Sequence, residues 1–241
     1  MSNSNTIQSK QTELARNIGK LLRDNFGKGP DSLFVTCTES VITVYLKNFL
    51  SPTEKILIEQ NHHDMFIKTR DAIMVTLIPK IKAYMSVITG MDIDEFYYDW
   101  DLHNGSGIFV GLSSGFKDIQ QENMESSNYE GKKKVEEEIS SISKKVQKLP
   151  GDVFSFQVNP RTTLVIREDI LVPIEKELIR MGYEEILRIT KLKLEKTYLH
   201  NNPIFERVLK CEVVDIFVDW DFGKNKSVIV FISQPLQPQG K

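Results

Sequence analysis

The sequence is short of several things, and each shortage removes a class of protein. It holds two cysteines, Cys37 and Cys211. A disulfide framework needs more, so reduced thiols and a cytoplasmic location, with at most a peripheral position at the membrane, are expected. Long hydrophobic runs are missing too: stretches such as Ala72 to Ile78 fall far below the ~20 residues needed to span a bilayer. No transmembrane segment of its own is therefore expected. Met1-Ser2-Asn3-Ser4-Asn5 is polar and lacks the basic-then-apolar order of a signal peptide. The net charge of −2 gives no long-range field toward nucleic acid, which makes nucleic-acid binding the weakest functional reading. No cysteine–histidine pairing, GxSxG elbow, HExxH or dinucleotide fingerprint occurs. Enzymatic chemistry has no support, so no catalytic residue, metal or cofactor is nominated.

What is present is a repeat. Phe96-Tyr97-Tyr98-Asp99-Trp100-Asp101-Leu102, a turn and Ile108-Phe109-Val110 return as Ile216-Phe217-Val218-Asp219-Trp220-Asp221-Phe222, a turn and Val228-Ile229-Val230. The copies lie about 120 residues apart, the size of one small domain.

The first copy opens with Ala15, Ile18, Leu22 and Phe26 at helical spacing, predicting a helix over 12–26 after a frayed polar start. Gly27-Lys28-Gly29-Pro30 ends that helix. Leu33 to Thr38 and Val41 to Phe49 read as a hairpin turning at Glu39-Ser40. Ser51-Pro52-Thr53-Glu54 carries an N-cap, a proline at the first helical position and an acid in the first turn. A long helix is expected from about Met65 to Thr89, with a kink or break at Pro79. Ile93 to Leu102 and Ile108 to Leu112 form the second hairpin.

The second copy repeats this order. Val135, Ile139, Ile142 and Val146 give a helical stripe, and Phe154 to Val158 with Thr163 to Ile170 a hairpin. Pro173-Ile174-Glu175-Lys176 matches Pro52-Thr53-Glu54-Lys55, and the long helical region is interrupted at Asn201-Asn202-Pro203. The expected fold class is α+β. Two tandem helix-hairpin-helix-hairpin repeats each build a mostly antiparallel four-stranded sheet covered by helices, the repeats related by a pseudo-twofold. The expected boundaries are 12–113 for the first repeat, 114–131 for a linker, 132–233 for the second repeat and 234–241 for a flexible tail.

Few positions are chemically unusual. Asp99 with Asp101, and Asp219 with Asp221, share one face of a strand, opposite Trp100 and Trp220. They make a candidate ligand or ion contact, against the plainer reading of an edge strand with outward charges and a core tryptophan. Arg70 interrupts an apolar helix face; its head is expected to reach a carboxylate such as Asp99 or Asp101, and Lys191 stands at the corresponding place in the second copy. Gly27, Lys28 and Gly29 make a candidate anion loop, with a helix cap as the competing reading, since the pattern is not a phosphate loop. His62-His63-Asp64 is a weak metal candidate, because adjacent helical residues diverge. Lys132-Lys133-Lys134 before Glu136-Glu137-Glu138 reads as a solvated helix face with i,i+4 pairs.

Taken together, Gly27-Lys28-Gly29-Pro30, Val41-Ile42-Thr43-Val44-Tyr45-Leu46, Leu50-Ser51-Pro52-Thr53-Glu54-Lys55, the run Arg70 to Pro79, and Ile88-Thr89-Gly90 resemble a bacterial family. It is the MpsC-like family, named for a sodium-translocating membrane-potential-generating system. The second copy resembles it more loosely, with Leu209-Lys210 in place of Thr89-Gly90 and no Gly-Lys-Gly element. The resemblance implies a non-enzymatic cytosolic accessory or regulator of a membrane system for cation-coupled inorganic-carbon transport. Its partners would be membrane transporter subunits, and the chain itself a pseudo-dimeric monomer or a homodimer. The alternative from the residues alone is a small-ligand or ion-binding sensor.

Overall fold

The structure, a computed structural model, describes residues 2–116 and 128–236. Most of the expected linker (117–127) and the end of the expected tail (237–241) lie outside them. The chain divides into two compact units, Met1–Glu122 and Asn123–Lys241.

The first unit runs α1 (Ser2–Phe26), β1 (Ser32–Cys37), β2 (Val41–Lys47), α2 (Pro52–Glu59), α3 (His63–Thr89), β3 (Ile93–Asp101) and β4 (Ser106–Ser113). The second runs α4 (Lys132–Val146), β5 (Asp152–Asn159), β6 (Thr162–Glu168), α5 (Pro173–Arg180), α6 (Glu184–His200), α7 (Ile204–Leu209), β7 (Cys211–Asp221) and β8 (Lys226–Pro235). Each builds a four-stranded antiparallel sheet, ordered β1-β2-β4-β3 in one and β5-β6-β8-β7 in the other. The long helix between the hairpins lets the second hairpin return with its last strand beside β2, or β6, which leaves the tryptophan strands β3 and β7 at edges.

The duplication reaches the backbone. Left-handed residues recur in pairs: Asn48 (φ 51°) with Asp169 (50°), Asn61 (60°) with Gly182 (84°), Gly90 (81°) with Lys210 (52°), and Gly105 (57°) with Asn225 (53°). Both edge strands slip register at the same point, between Ile93 and Glu95 and between Val213 and Asp215. Lys210 adopts a conformation that costs an L-residue roughly 1–2 kcal/mol, so the turn is kept although its glycine is gone.

The cores are helix-on-sheet. Leu14, Ile18 and Leu22 of α1 are fully buried with Phe66, Met74, Leu77, Ile81 and Met85 of α3 against Ile42, Val44, Phe109 and Trp100. Each of these large apolar side chains contributes about 1.5–3 kcal/mol. The second unit packs Val135, Ile139, Ile142, Leu199, Phe205, Trp220, Ile229 and Phe231 in the same way.

Several expectations are corrected. α1 begins at Ser2 rather than Thr12, its early turns tied down where Lys10 Nζ donates to the Thr89 carbonyl at 3.0 Å. Leu14, not Ala15, leads its buried stripe. α3 runs through Pro79 unbroken. Pro79 has no amide to offer the Val75 carbonyl, but both residues face solvent, where that carbonyl is open to water. The strand β8 extends to Pro235, and Gln234 pairs with Glu212, so the tail begins inside the sheet.

Candidate functional site

The short helix α2 starts from a capping box. Ser51 Oγ accepts from the Glu54 amide (3.3 Å), and Glu54 Oε2 accepts from the Ser51 amide (2.7 Å). This holds the Glu54 carboxylate against the interior, where α3 brings Arg70 to it. Arg70 Nε donates to Glu54 Oε1 at 2.7 Å and Nη2 to Oε2 at 3.0 Å; Nη2 also donates to the Phe49 carbonyl. Arg70 is 1% exposed. Its guanidinium carbon lies 5.3, 4.6, 4.6 and 4.3 Å from the ring centroids of Phe26, Phe49, Phe66 and Trp100. A buried cation is tolerable only with its charge matched and its donors used, and the four rings add cation–π attraction. Burial pushes the Glu54 carboxyl up, but Arg70's hydrogen bonds and charge, with those from Ser51, outweigh it and leave the group below its ordinary range. Burial likewise pulls the Arg70 guanidinium down, opposed by Glu54.

The second unit rebuilds this cluster in other residues. Lys191 Nζ donates to Glu175 Oε1 at 2.8 Å, and Glu175 Oε2 accepts from the Val172 amide at 2.9 Å at the start of α5. Trp220 stands beside the ammonium, 5.6 Å from ring centroid to Nζ. Gln147 accepts from Lys191 and donates to the Ile170 carbonyl. Gln147, Ile170 and Leu187 thus occupy the places of Phe26, Phe49 and Phe66.

Next to it lies a second buried cation with no counterpart in the first unit. Arg167, 0% exposed, donates to Ser227 Oγ (2.7 Å), Ser143 Oγ (2.9 Å) and Glu195 Oε2 (2.6 Å). In the sheet Arg167 pairs with Ser227 just as Leu46 pairs with Gly107. Leu22, Leu46, Met74 and Gly107 of the first core have become Ser143, Arg167, Glu195 and Ser227.

The sequence-predicted positions fall as follows. Arg70 does not meet Asp99 or Asp101: it sits over Trp100 on the helix side, while the aspartates project from the other face. Asp99 and Asp219 are not the outward charges of a solvated edge, since both are buried. Asp99 Oδ1 accepts from the Trp100 amide at 2.7 Å, and Asp219 Oδ1 from Arg188 Nε at 3.1 Å. Asp101 and Asp221 cap their hairpin turns, accepting from the Asn104 and Lys224 amides, each at 2.9 Å. Gly27 takes φ 73° and its amide bonds the Arg23 carbonyl, the geometry of a helix C-cap. Lys28 Nζ reaches the Asn48 carbonyl at 3.2 Å, and Gly29 lies against the Arg23 side chain. This loop is at the negative end of the α1 dipole. Among the described residues no group of three His, Cys, Asp or Glu could hold a metal ion, which takes in His62-His63-Asp64.

Lys133 and Glu137 form the expected i,i+4 pair at 3.9 Å. Glu136 instead turns inward to the Ser155 amide (2.7 Å) and hydroxyl (2.9 Å), which also meets Tyr129 Oη at 2.8 Å. Burial, with Glu136 nearby and against the Ser155 hydrogen bond, pushes the Tyr129 hydroxyl up to about 12. Sequence reasoning missed Glu54, Glu175, Arg167 and Glu195. Aligning the two copies would have exposed the last two, as charges at positions that are Leu46 and Met74 in the first.

One surface also stands apart. Among the described residues α3 alone is long and apolar enough to cross a membrane by length and composition, although no single run in it is; only 22% of the qualifying stretch is buried. Its core side carries Arg70 and Met74, while Val75 (71%), Val87 (83%) and Tyr84 (36%) are exposed beside Ala72, Thr76, Pro79 and Ala83. Counting from Arg70 and Lys191, the places of Ala72, Val75 and Pro79 are taken on α6 by Lys193, Lys196 and His200.

These features define a tandem-duplicated α+β protein in which each unit joins a buried cation to a helix-capping carboxylate beside an edge-strand tryptophan. The chain belongs to the MpsC family, described as Na+-translocating membrane potential-generating system (MpsC), whose model matches residues 6–113 and 130–234. Each matched segment lies within one of the two units. No curated protein and no solved structure matches the chain.

Proposed function

We propose that this protein is a non-enzymatic accessory or regulator of a Na+-translocating, membrane-potential-generating system, working from the cytoplasmic side. In this reading it docks on the apolar surface of a membrane-embedded component through the solvent-facing side of α3. The observation that carries the reading is the exposed side of α3, where Ala72, Val75, Thr76, Pro79, Ala83 and Val87 face solvent with Lys80 as the exposed charge beside them; on the duplicate helix Lys193, Lys196 and His200 take the places of Ala72, Val75 and Pro79. The two helices share an ancestry and a place in the fold, yet Lys196 lies over the Phe217 ring, 5.8 Å from Nζ to centroid, while Val75 is left exposed, so the bare valine calls for a reason. An apolar partner supplies one, because large contiguous apolar surface marks interaction sites. The family description names a membrane system, and an inorganic-carbon cargo is the finer expectation.

The test is co-purification with cell membranes and crosslinking to their integral proteins, for the wild-type chain and for Val75→Lys/Val87→Lys. Both substitutions are at solvent, and the first installs the residue type found at Lys196. The expected result is that wild type is retained and crosslinks to an integral component while the folded double variant is released. Equal retention of both, or no membrane partner for either, overturns the reading.

A further inference from the structure

The Lys191 cluster has a property that its counterpart lacks. Arg70 faces one carboxylate and grips both of its oxygens. Lys191 stands between two. Glu175 Oε1, on α5, is bonded at 2.8 Å; Glu195 Oε1, one turn farther along α6, is 3.8 Å away, beyond hydrogen-bond reach. Glu195 is 1% exposed, and its Oε1 is a buried oxygen without a hydrogen-bond partner. Its other oxygen is held by Arg167 at 2.6 Å. A guanidinium fork locks onto one carboxylate, whereas an ammonium on a flexible stem carries three rotatable donors and can change acceptor without backbone motion.

We propose that Lys191 is a two-position contact that holds or releases the start of α5. In the first position it bonds Glu175, whose Oε2 fixes the Val172 amide. In the second it turns to Glu195 Oε1, satisfies that orphaned oxygen, and leaves Glu175 to solvent with the first turn of α5. No proton moves, and the cluster of Arg167, Lys191, Glu175 and Glu195 stays neutral in both positions. The groups facing the ammonium are these two carboxylates, Gln147 Oε1 and the Trp220 ring. The fold does not demand the second carboxylate, because the first unit builds the same sheet and helices with Met74 there. Release would free a corner that already presents Ile174 (65%) and Met181 (58%) to solvent. The second unit thereby carries a movable element where the first is locked.

Amide hydrogen exchange on the full chain tests this, with Val172 as reporter and Ser51, held by Glu54 in the locked unit, as internal control. Wild-type Val172 is expected to be less protected than Ser51. Arg167→Leu/Glu195→Met, which installs the first unit's residues and removes the second position, should raise Val172 protection several-fold to about tenfold, the range of one net hydrogen bond, and leave Ser51 unchanged. Lys191→Arg, which favours the fork, should move Val172 the same way and decides the matter if the double variant fails to fold. Val172 as protected as Ser51 in wild type, or unmoved by the variants that fold, overturns the proposal.

Discussion

Arg70 and Glu54, sixteen residues apart in sequence, meet as a two-pronged ion pair inside the first unit, and Lys191 meets Glu175 across the same sixteen-residue gap in the second. The spacing is set by a short capped helix turning back into a long one. Both units therefore use one device to join α2 to α3 and α5 to α6. Its partners are far enough apart in the chain to form only when the helices dock.

Removing Arg70 leaves Glu54 charged, buried and without its partner. Arg70→Met is expected to destabilise the first unit by about 3–5 kcal/mol, the usual cost of breaking a buried pair from one side. Arg70→Lys should lose less, since Lys191 shows that an ammonium fits the equivalent place. Urea unfolding followed by tryptophan fluorescence checks both.

The same pair predicts an acid limb. The Glu54 carboxyl is lower in the folded state than its ordinary 4.5, so its contribution is fully present above that value. It is lost as pH falls through the depressed folded value, because the unfolded chain then binds the proton more readily. The urea midpoint of the first unit should hold from neutrality to about pH 5 and fall below it. Glu54→Gln should flatten that limb while lowering stability at neutral pH.

Gly107 lies under the indole of Trp100. A Cβ there would stand 2.4 Å from Cε3 and 2.5 Å from Cζ3. Gly107→Ser, the residue of the second unit at Ser227, should therefore destabilise by about 1–3 kcal/mol through overpacking, with a shifted Trp100 emission. Thermal unfolding of the variant measures it.

Cys37 is the more shielded thiol. Burial pushes it to about 11, with Lys10 pulling the other way. At pH 8.5 it holds little thiolate, so alkylation by iodoacetamide should run about a hundredfold slower than for an ordinary cysteine. Lys10→Ala should slow it further, because the opposing charge is gone. Mass spectrometry of the labelled peptide gives the rate; labelling at the rate of a free thiol contradicts the assignment.

Much of the fold was legible because its signals are local. The doubled Phe-Tyr-Tyr-Asp-Trp-Asp and Ile-Phe-Val-Asp-Trp-Asp strands, the Ser51-Pro52 helix start and the break at Asn201-Asn202-Pro203 each depend on neighbours in the chain. The candidate site was less legible. Arg70 stands out as a charge on an apolar face, yet its carboxylate is Glu54 rather than Asp99 or Asp101. Asp99 is near in the sheet but on the far side of the strand, while Glu54 looked like nothing more than a helix cap. Lys210 in a left-handed turn was equally hidden, since its residue type argues against that conformation and only the duplicated backbone requires it.

By itself the sequence determined that there are two copies, that each is helix, hairpin, helix, hairpin, and where most of those elements begin and end, since period and capping act over a few residues. The tertiary structure alone decided that β4 inserts beside β2, that Glu54 and Glu175 receive the buried cations, that Arg167 and Glu195 hold a polar core where the twin unit is apolar, and that one side of α3 stays bare. Those outcomes turn on which surfaces meet across long stretches of chain, and burial makes a charge choose whichever partner the packing brings within reach.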